Sequence, residues 1–170
     1  MLLSRLLPSL LAVLLLSGCG FSSLYGSNNS VESSDQLAAI KITQIKDRVG
    51  QQVRNELLDL LTPLGIPRKP QFTLSVSARE LKNTFAIQKS AFATRADLRL
   101  TVSFHLNSFA TGQLLTTGNV FAISSYDIVS SNFATLSAEK NARERSVLQI
   151  SEDIRTRLAV YFVRKFENSR

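Results

Sequence analysis

The chain has 170 residues with one cysteine and one histidine, and its 20 Lys and Arg against 13 Asp and Glu give a net charge of +7. That length suits one compact domain with its own core, and a single cysteine excludes an intrachain disulfide, so the fold rests on packing. With no G-x-S-x-G or H-E-x-x-H motif, the common serine-hydrolase and zinc-protease chemistries are excluded too, while the basic balance calls for an acidic partner.

Residues 1–18 read as a secretory leader, with Arg5 near the start, an apolar stretch from Leu6 to Leu16, and the small residues Ser17 and Gly18 before Cys19. The stretch is shorter than the roughly 20 apolar residues a membrane span needs. Leu16-Ser17-Gly18-Cys19 is the box of bacterial lipoproteins. It predicts cleavage before Cys19, a diacylglycerol on its sulfur and an acyl chain such as palmitate on the new amino terminus, which together anchor the chain to a membrane. Gly20 stands where an aspartate retains enteric lipoproteins in the inner membrane. The expected address is therefore the outer membrane, on its periplasmic side. At that address a basic domain meets phosphorylated lipid or an acidic protein surface, and no nucleic acid.

From Gly20 to Gln36 the chain is rich in Ser and Asn and reads as a flexible tether, so that residues 19–36 link the anchor to a single domain over 37–170. Leu37 to Lys46 alternates, with Ile40, Ile42 and Ile45 among polar residues, and predicts a first strand. Asp47 then suits the N-cap of a helix whose apolar positions Val49, Val53, Leu57, Leu60, Leu61 and Leu64 recur every three or four residues. Pro63 and Gly65 end it, and Gly50 near its start predicts either fraying or a close approach of another group.

A Pro-rich turn over 66–70 leads to a second strand, in which Phe72, Leu74, Val76 and Ala78 alternate with Thr73, Ser75, Ser77 and Arg79. The third is the clearest: Ala96, Leu98, Leu100, Val102, Phe104 and Leu106 alternate with Asp97, Arg99, Thr101, Ser103 and His105. Ala110-Thr111-Gly112-Gln113 predicts a hairpin turn, and Leu114 to Tyr126 a fourth strand with a bulge at Gly118. Beyond Gly118 there is no Gly or Pro, so a long helix is expected from about Ser137 toward Phe166. Its stripe is Val147, Ile150, Ile154, Leu158, Tyr161 and Phe162, with an Asp153–Arg157 pair on the outer side. The order β-α-β-β-β-α predicts an α+β fold: a four-stranded mixed sheet with both amphipathic helices on one face and a polar face on the other.

No residue set points to catalysis. His105 lies on the polar side of the third strand beside Ser103 and Asn107, without an acidic partner in any local motif. A lone histidine among scattered carboxylates lacks metal-ligand spacing, so neither a metal nor a cofactor is expected apart from the covalent lipid on Cys19. The basic residues say more. Arg79, Lys82, Lys89, Arg95 and Arg99 fall on the second strand, the third strand and the segment between them, which also carries Phe85, Ile87 and Phe92. Gathered on the polar sheet face or at its end, they would grip phosphates, Arg through paired hydrogen bonds and Lys as a point charge. Aromatics beside cations suit an amphiphile or a protein partner. The plainer reading is a solvated face that keeps a basic domain soluble.

With its lipoprotein box, its Cys19-Gly20-Phe21 start, the Leu24-Tyr25-Gly26 triplet and this order of elements, the chain resembles the LptE family of lipopolysaccharide-assembly lipoproteins, most of all its short alphaproteobacterial branch. Asp47-Arg48-Val49-Gly50-Gln51 entering a helix, and Ala142 through Phe162 ending in Arg157-Leu158-Ala159-Val160-Tyr161-Phe162, extend the similarity over nearly all of the mature chain. The resemblance implies a non-enzymatic outer-membrane lipoprotein that plugs and helps assemble the LptD β-barrel and binds lipopolysaccharide on its way to the outer leaflet. It also implies a lipopolysaccharide-contacting region around the connection between strands two and three, with Lys89 foremost and Lys82, Arg95 and Arg99 as further candidates. The alternative is a stand-alone periplasmic amphiphile-binding or chaperone-like lipoprotein that works without a barrel.

Overall fold

The computed structural model describes residues 35–86 and 93–167. The expected leader, Cys19 and most of the tether lie outside them, as do Ile87, Lys89 and Phe92. The alternating segments become β1 (Ile40–Ile42), β2 (Phe72–Ala86), β3 (Ala93–Ser108) and β4 (Leu114–Asp127), side by side in that order in one mixed sheet. β1 runs parallel to β2, setting Ile40 against Phe72 and Ile42 against Leu74, while β2, β3 and β4 form an antiparallel meander. A parallel pair needs a crossover, which helix α1 (Arg48–Leu61) supplies. After β4 the chain returns as α2 (Asn132–Glu167), whose 36 residues reach roughly 54 Å at about 1.5 Å each, enough to run the length of the long strands.

Along β3 every even-numbered residue from Ala96 to Leu106 is buried and the odd-numbered ones between them are not. That parity puts one face of the sheet under the helices. Val53, Leu57 and Leu61 of α1 and Ile150, Ile154, Leu158 and Phe162 of α2 pack there against Ile40, Leu74 and the β3 residues. The Phe72 and Phe162 rings meet with centroids 5.0 Å apart.

Several boundaries differ from the sequence expectation, among them that of α1, which ends at Leu61 and leaves Leu64 exposed in the turn beyond it. β1 is short because Leu37 belongs to a helical turn over 35–38 and the chain leaves the ladder beyond Thr43, whose N–H donates to the Leu74 carbonyl at 3.0 Å. Ile45 is buried outside the sheet, pressed on the first turn of α1 so closely that a Cβ at Gly50 would collide with its side chain. Asp47, at φ 66°, caps that turn by accepting the Gly50 N–H at 2.7 Å. Gly50 is thus a site of close approach, not of fraying.

β2 runs on to Ala86, so Leu81, Lys82 and Phe85 belong to the strand and not to a connection. Gly118 marks no bulge; the register shifts instead between Leu106 and Asn107, opposite Thr116 and Leu114. What Gly118 provides is room for Phe104, whose Cζ would lie 2.5 Å from an added Cβ. α2 begins at Asn132, earlier than its apolar stripe indicates, with the Ser131 hydroxyl accepting the Ala134 N–H at 3.3 Å. Along α2 the described ion pairs are Glu139–Arg143, Lys140–Glu144 and Glu152–Arg155, and Asp153–Arg157 is not among them.

Candidate functional site

The sheet face away from the helices is not uniformly polar. Strand register sets its residues in rows: Ser77, Ser103 and Asn119; then Arg79, Thr101 and Phe121; then Leu81, Arg99 and Ile123; then Asn83, Asp97 and Ser125; then Phe85, Arg95 and Asp127. The first row is small and polar. From the second onward, exposed Leu81, Phe85, Phe121 and Ile123 interleave with Arg79, Arg95 and Arg99. The Arg99 guanidinium stacks over the Phe121 ring with its Cζ 4.9 Å from the centroid, which orients the cation while leaving its N–H donors available. Asp97 accepts the Ser125 hydroxyl at 2.6 Å. Such a surface matches a molecule that carries both anionic oxygens and apolar chains.

Lys82 points to the opposite side. Its parity is that of Leu98 and Ser124, its neighbours across the ladder, so it lies on the helix face, where its ammonium meets Glu139 at 2.6 Å. There it joins a polar cluster set into the end of the core. Arg143 bonds Glu80 through Nε and Nη2 at 2.6 and 2.9 Å and Glu139 through Nη2 at 2.6 Å, and the Tyr126 hydroxyl donates to Glu139 at 3.3 Å. Burial alone would raise the Glu139 pKa, but the hydrogen bonds from Lys82 and Arg143 outweigh it and hold the carboxyl below its ordinary value. The bond to Glu80 raises Arg143 further, and burial, followed by the Glu139 charge, raises Tyr126. Beside this cluster an open hollow of about 550 Å³ is lined by Arg48, Lys82, Phe133, Leu136 and Lys140 among others.

The four lipopolysaccharide-contact candidates therefore do not form one cluster. Arg95 and Arg99 share the open face, Lys82 lies across the sheet from them, and Lys89 is outside the described residues. Phe121 and Ile123, opposite Thr101 and Arg99, are members of the face that the sequence reading does not name. The signal was available: Val120, Ala122 and Ser124 carry the buried phase of β4, so the large residues between them had to point outward. His105 sits with its Nδ1 at 2.9 Å from the Thr117 hydroxyl, and among the described residues no three His, Cys, Asp or Glu side chains gather as a metal ion requires.

The family model for LptE, lipopolysaccharide-assembly, matches residues 36–158. The uncharacterized protein RP188 of Rickettsia prowazekii (strain Madrid E) is 25% identical over 151 residues, covering 89% of this chain and 93% of its own. Among solved structures, one from Caulobacter crescentus assigned as a lipoprotein superposes with a TM-score of 0.65 at 20% identity, over 78% of this chain and 96% of its own. A minor lipoprotein from Acinetobacter baumannii gives 0.53 at 14% identity, over 71% and 90%. Both share the fold.

Proposed function

The chain belongs to the LptE family of lipopolysaccharide-assembly proteins, and we propose that it works there as a lipoprotein held by acylated Cys19 on the periplasmic side of the outer membrane. Its domain sits in the lumen of an LptD-like β-barrel, helps that barrel assemble, and contacts lipopolysaccharide during delivery to the outer leaflet. The observation that carries this reading is the open sheet face, where Arg79, Arg95 and Arg99 interleave with Leu81, Phe85, Phe121 and Ile123. Cations set among apolar side chains offer lipopolysaccharide contacts for both its phosphates and its acyl chains. The small polar row of Ser77, Ser103 and Asn119 suits the wet lumen of a barrel, where a hydroxyl-bearing surface costs little to bring against polar walls.

Photo-crosslinkers at Thr101 and at Ser103 in intact cells test the plug geometry, because both lie on the open face between its polar and amphipathic halves. Capture of a large outer-membrane barrel protein is expected from both positions. Capture from neither, with the protein outer-membrane bound, overturns the plug and leaves the stand-alone amphiphile carrier.

A further inference from the structure

The turn between α1 and β2 presents its apolar side chains to solvent. Leu64 is 99% exposed and Ile66 66%. The turn is nevertheless built. Thr62 bonds the Leu58 carbonyl through both its N–H, at 2.9 Å, and its hydroxyl, at 3.0 Å, and the Gly65 N–H donates to the Thr62 carbonyl at 2.8 Å. Gly65 takes φ 102°, which a side chain would resist, while Pro63, Pro67 and Pro70 fix the backbone on either side. A stiff turn that already holds two apolar side chains outward lowers the backbone ordering cost when they are finally covered.

Three observations identify what covers them. First, Arg68 and Lys69 follow directly, both exposed, so the edge of the turn is cationic. Second, Asp35 is where the chain coming from Cys19 joins the described domain, and it lines the hollow beneath the turn. The segment from Cys19 to Asp35 spans at most about 55 Å and enters the domain at the end that carries this turn, so any lipid on Cys19 is tethered from that end. Third, the turn leads into Phe72, whereas Arg95 lies opposite Phe85 at the far end of β2, about 43 Å away along the strand. The turn is therefore separate from the amphipathic sheet face.

We propose that the Leu64–Ile66 turn is a membrane-contact element, inserting Leu64 and Ile66 at the boundary between headgroups and acyl chains of an anionic bilayer, with Arg68 and Lys69 on the lipid phosphates. Apolar tips beside exposed cations have the composition of an interfacial anchor. The inference rests on the reading of Cys19 as the lipid anchor, because the anchor is what brings this end of the domain to a bilayer. Together, anchor and turn fix the orientation of the domain and not only its distance from the membrane.

The chain has no tryptophan, so a single one reports cleanly. The full-length protein carrying Leu64→Trp, processed in cells and reconstituted into vesicles of phosphatidylethanolamine and phosphatidylglycerol with brominated acyl chains, is expected to emit to the blue and to be quenched severalfold. Leu148→Trp, at an exposed apolar position on α2, is expected to keep a solvent-like spectrum and to resist quenching. Leaving out phosphatidylglycerol is expected to weaken the quenching at position 64. No quenching at position 64, or equal quenching at 64 and 148, overturns the proposal. Mass spectrometry of the same preparations reads acylation of Cys19 separately. Should the thiol be unmodified, the anchor reading fails on its own, and the same two variants mixed with preformed vesicles still decide whether the turn inserts.

Discussion

The Arg143 guanidinium grips the Glu80 carboxylate as a fork, Nε to Oε2 at 2.6 Å and Nη2 to Oε1 at 2.9 Å, and so fastens α2 to β2 across 63 residues of chain. Both side chains are largely covered, at 15% and 13% exposure. Charges with that little water depend on each other, since neither is solvated well enough to stand alone. The same guanidinium also holds Glu139, so two carboxylates rest on Arg143 and Lys82.

Replacing Arg143 with Met should therefore destabilise the domain by about 3 kcal/mol, the cost of leaving one partner of a largely buried pair uncompensated. For a domain of this size that lowers the melting temperature by roughly 6 to 12 °C, measurable by calorimetry. Adding Glu80→Met should recover part of the loss, because the stranded charge goes with it. A single Arg143→Met variant that melts with the wild type would show that the fork contributes nothing.

Glu139 predicts the acid limb. Its carboxyl is held below the ordinary value against the opposing effect of burial, by Lys82 and Arg143. A depressed folded pKa means that the unfolded chain takes up this proton first as pH falls. The stabilisation is thus complete above the unfolded value of about 4.3 and disappears as pH drops through the folded one. Melting temperatures followed from pH 7 to 3 should fall below about pH 4.5, and Glu139→Gln should start lower at pH 7 and fall less steeply. An acid limb of unchanged slope in Glu139→Gln would assign the effect to other carboxylates.

This cluster also explains where the sequence could be read and where it could not. The buried phase of β3 is legible in the sequence because its alternation is unbroken from Ala96 to Leu106, although the strand runs on to Ala93 and Ser108, and the mixed sheet with helices on one face follows from it. The alternation of β2 is legible only as far as Arg79, since Glu80 and Lys82 put charges at positions where the helix-side phase calls for apolar residues. Their partners, Glu139 and Arg143, lie 57 and 63 residues away, beyond any local pattern. The consequence for the site is direct: once β2 is a strand through residue 82, strand parity separates Lys82 from Arg95 and Arg99. The start of α2 was missed for a different reason. Phe133 and Leu136 are exposed, so the first turns carry no core stripe to signal a helix.

Gly118 gives a sharp packing test. Its missing Cβ leaves the space taken by the Phe104 ring, which is 2% exposed and so has nowhere to move. Gly118→Ala should cost about 2 kcal/mol through overpacking, seen as a lower midpoint in urea. Combining it with Phe104→Leu, which removes the ring the new methyl would strike, should cost less than the sum of the two single changes. Strict additivity would place the strain elsewhere.

The two sides of the sheet make opposite predictions for lipopolysaccharide. If the open face binds it, the Arg95→Ser, Arg99→Ser double variant loses charge-assisted contacts worth about 1.5 to 3 kcal/mol each, so affinity should fall tenfold or more. Arg95 and Arg99 are exposed, so the melting temperature should hardly change. Lys82→Ser should do the reverse. Its ammonium is committed to Glu139 on the helix side, with 43% of the side chain exposed, so its loss should lower stability by less than about 1 kcal/mol and leave affinity unchanged. Added salt should weaken binding by the wild type and by Lys82→Ser alike, and by the double variant less, because exposed charges are screened over about 8 Å at physiological ionic strength. Ile123→Ser should weaken binding at every salt concentration, since it removes apolar contact and no charge. Binding isotherms for these four proteins at low and high salt separate the cases. Weakening by Lys82→Ser with a silent double variant would move the site to the hollow beside Arg48 and Lys140, on the other side of the sheet.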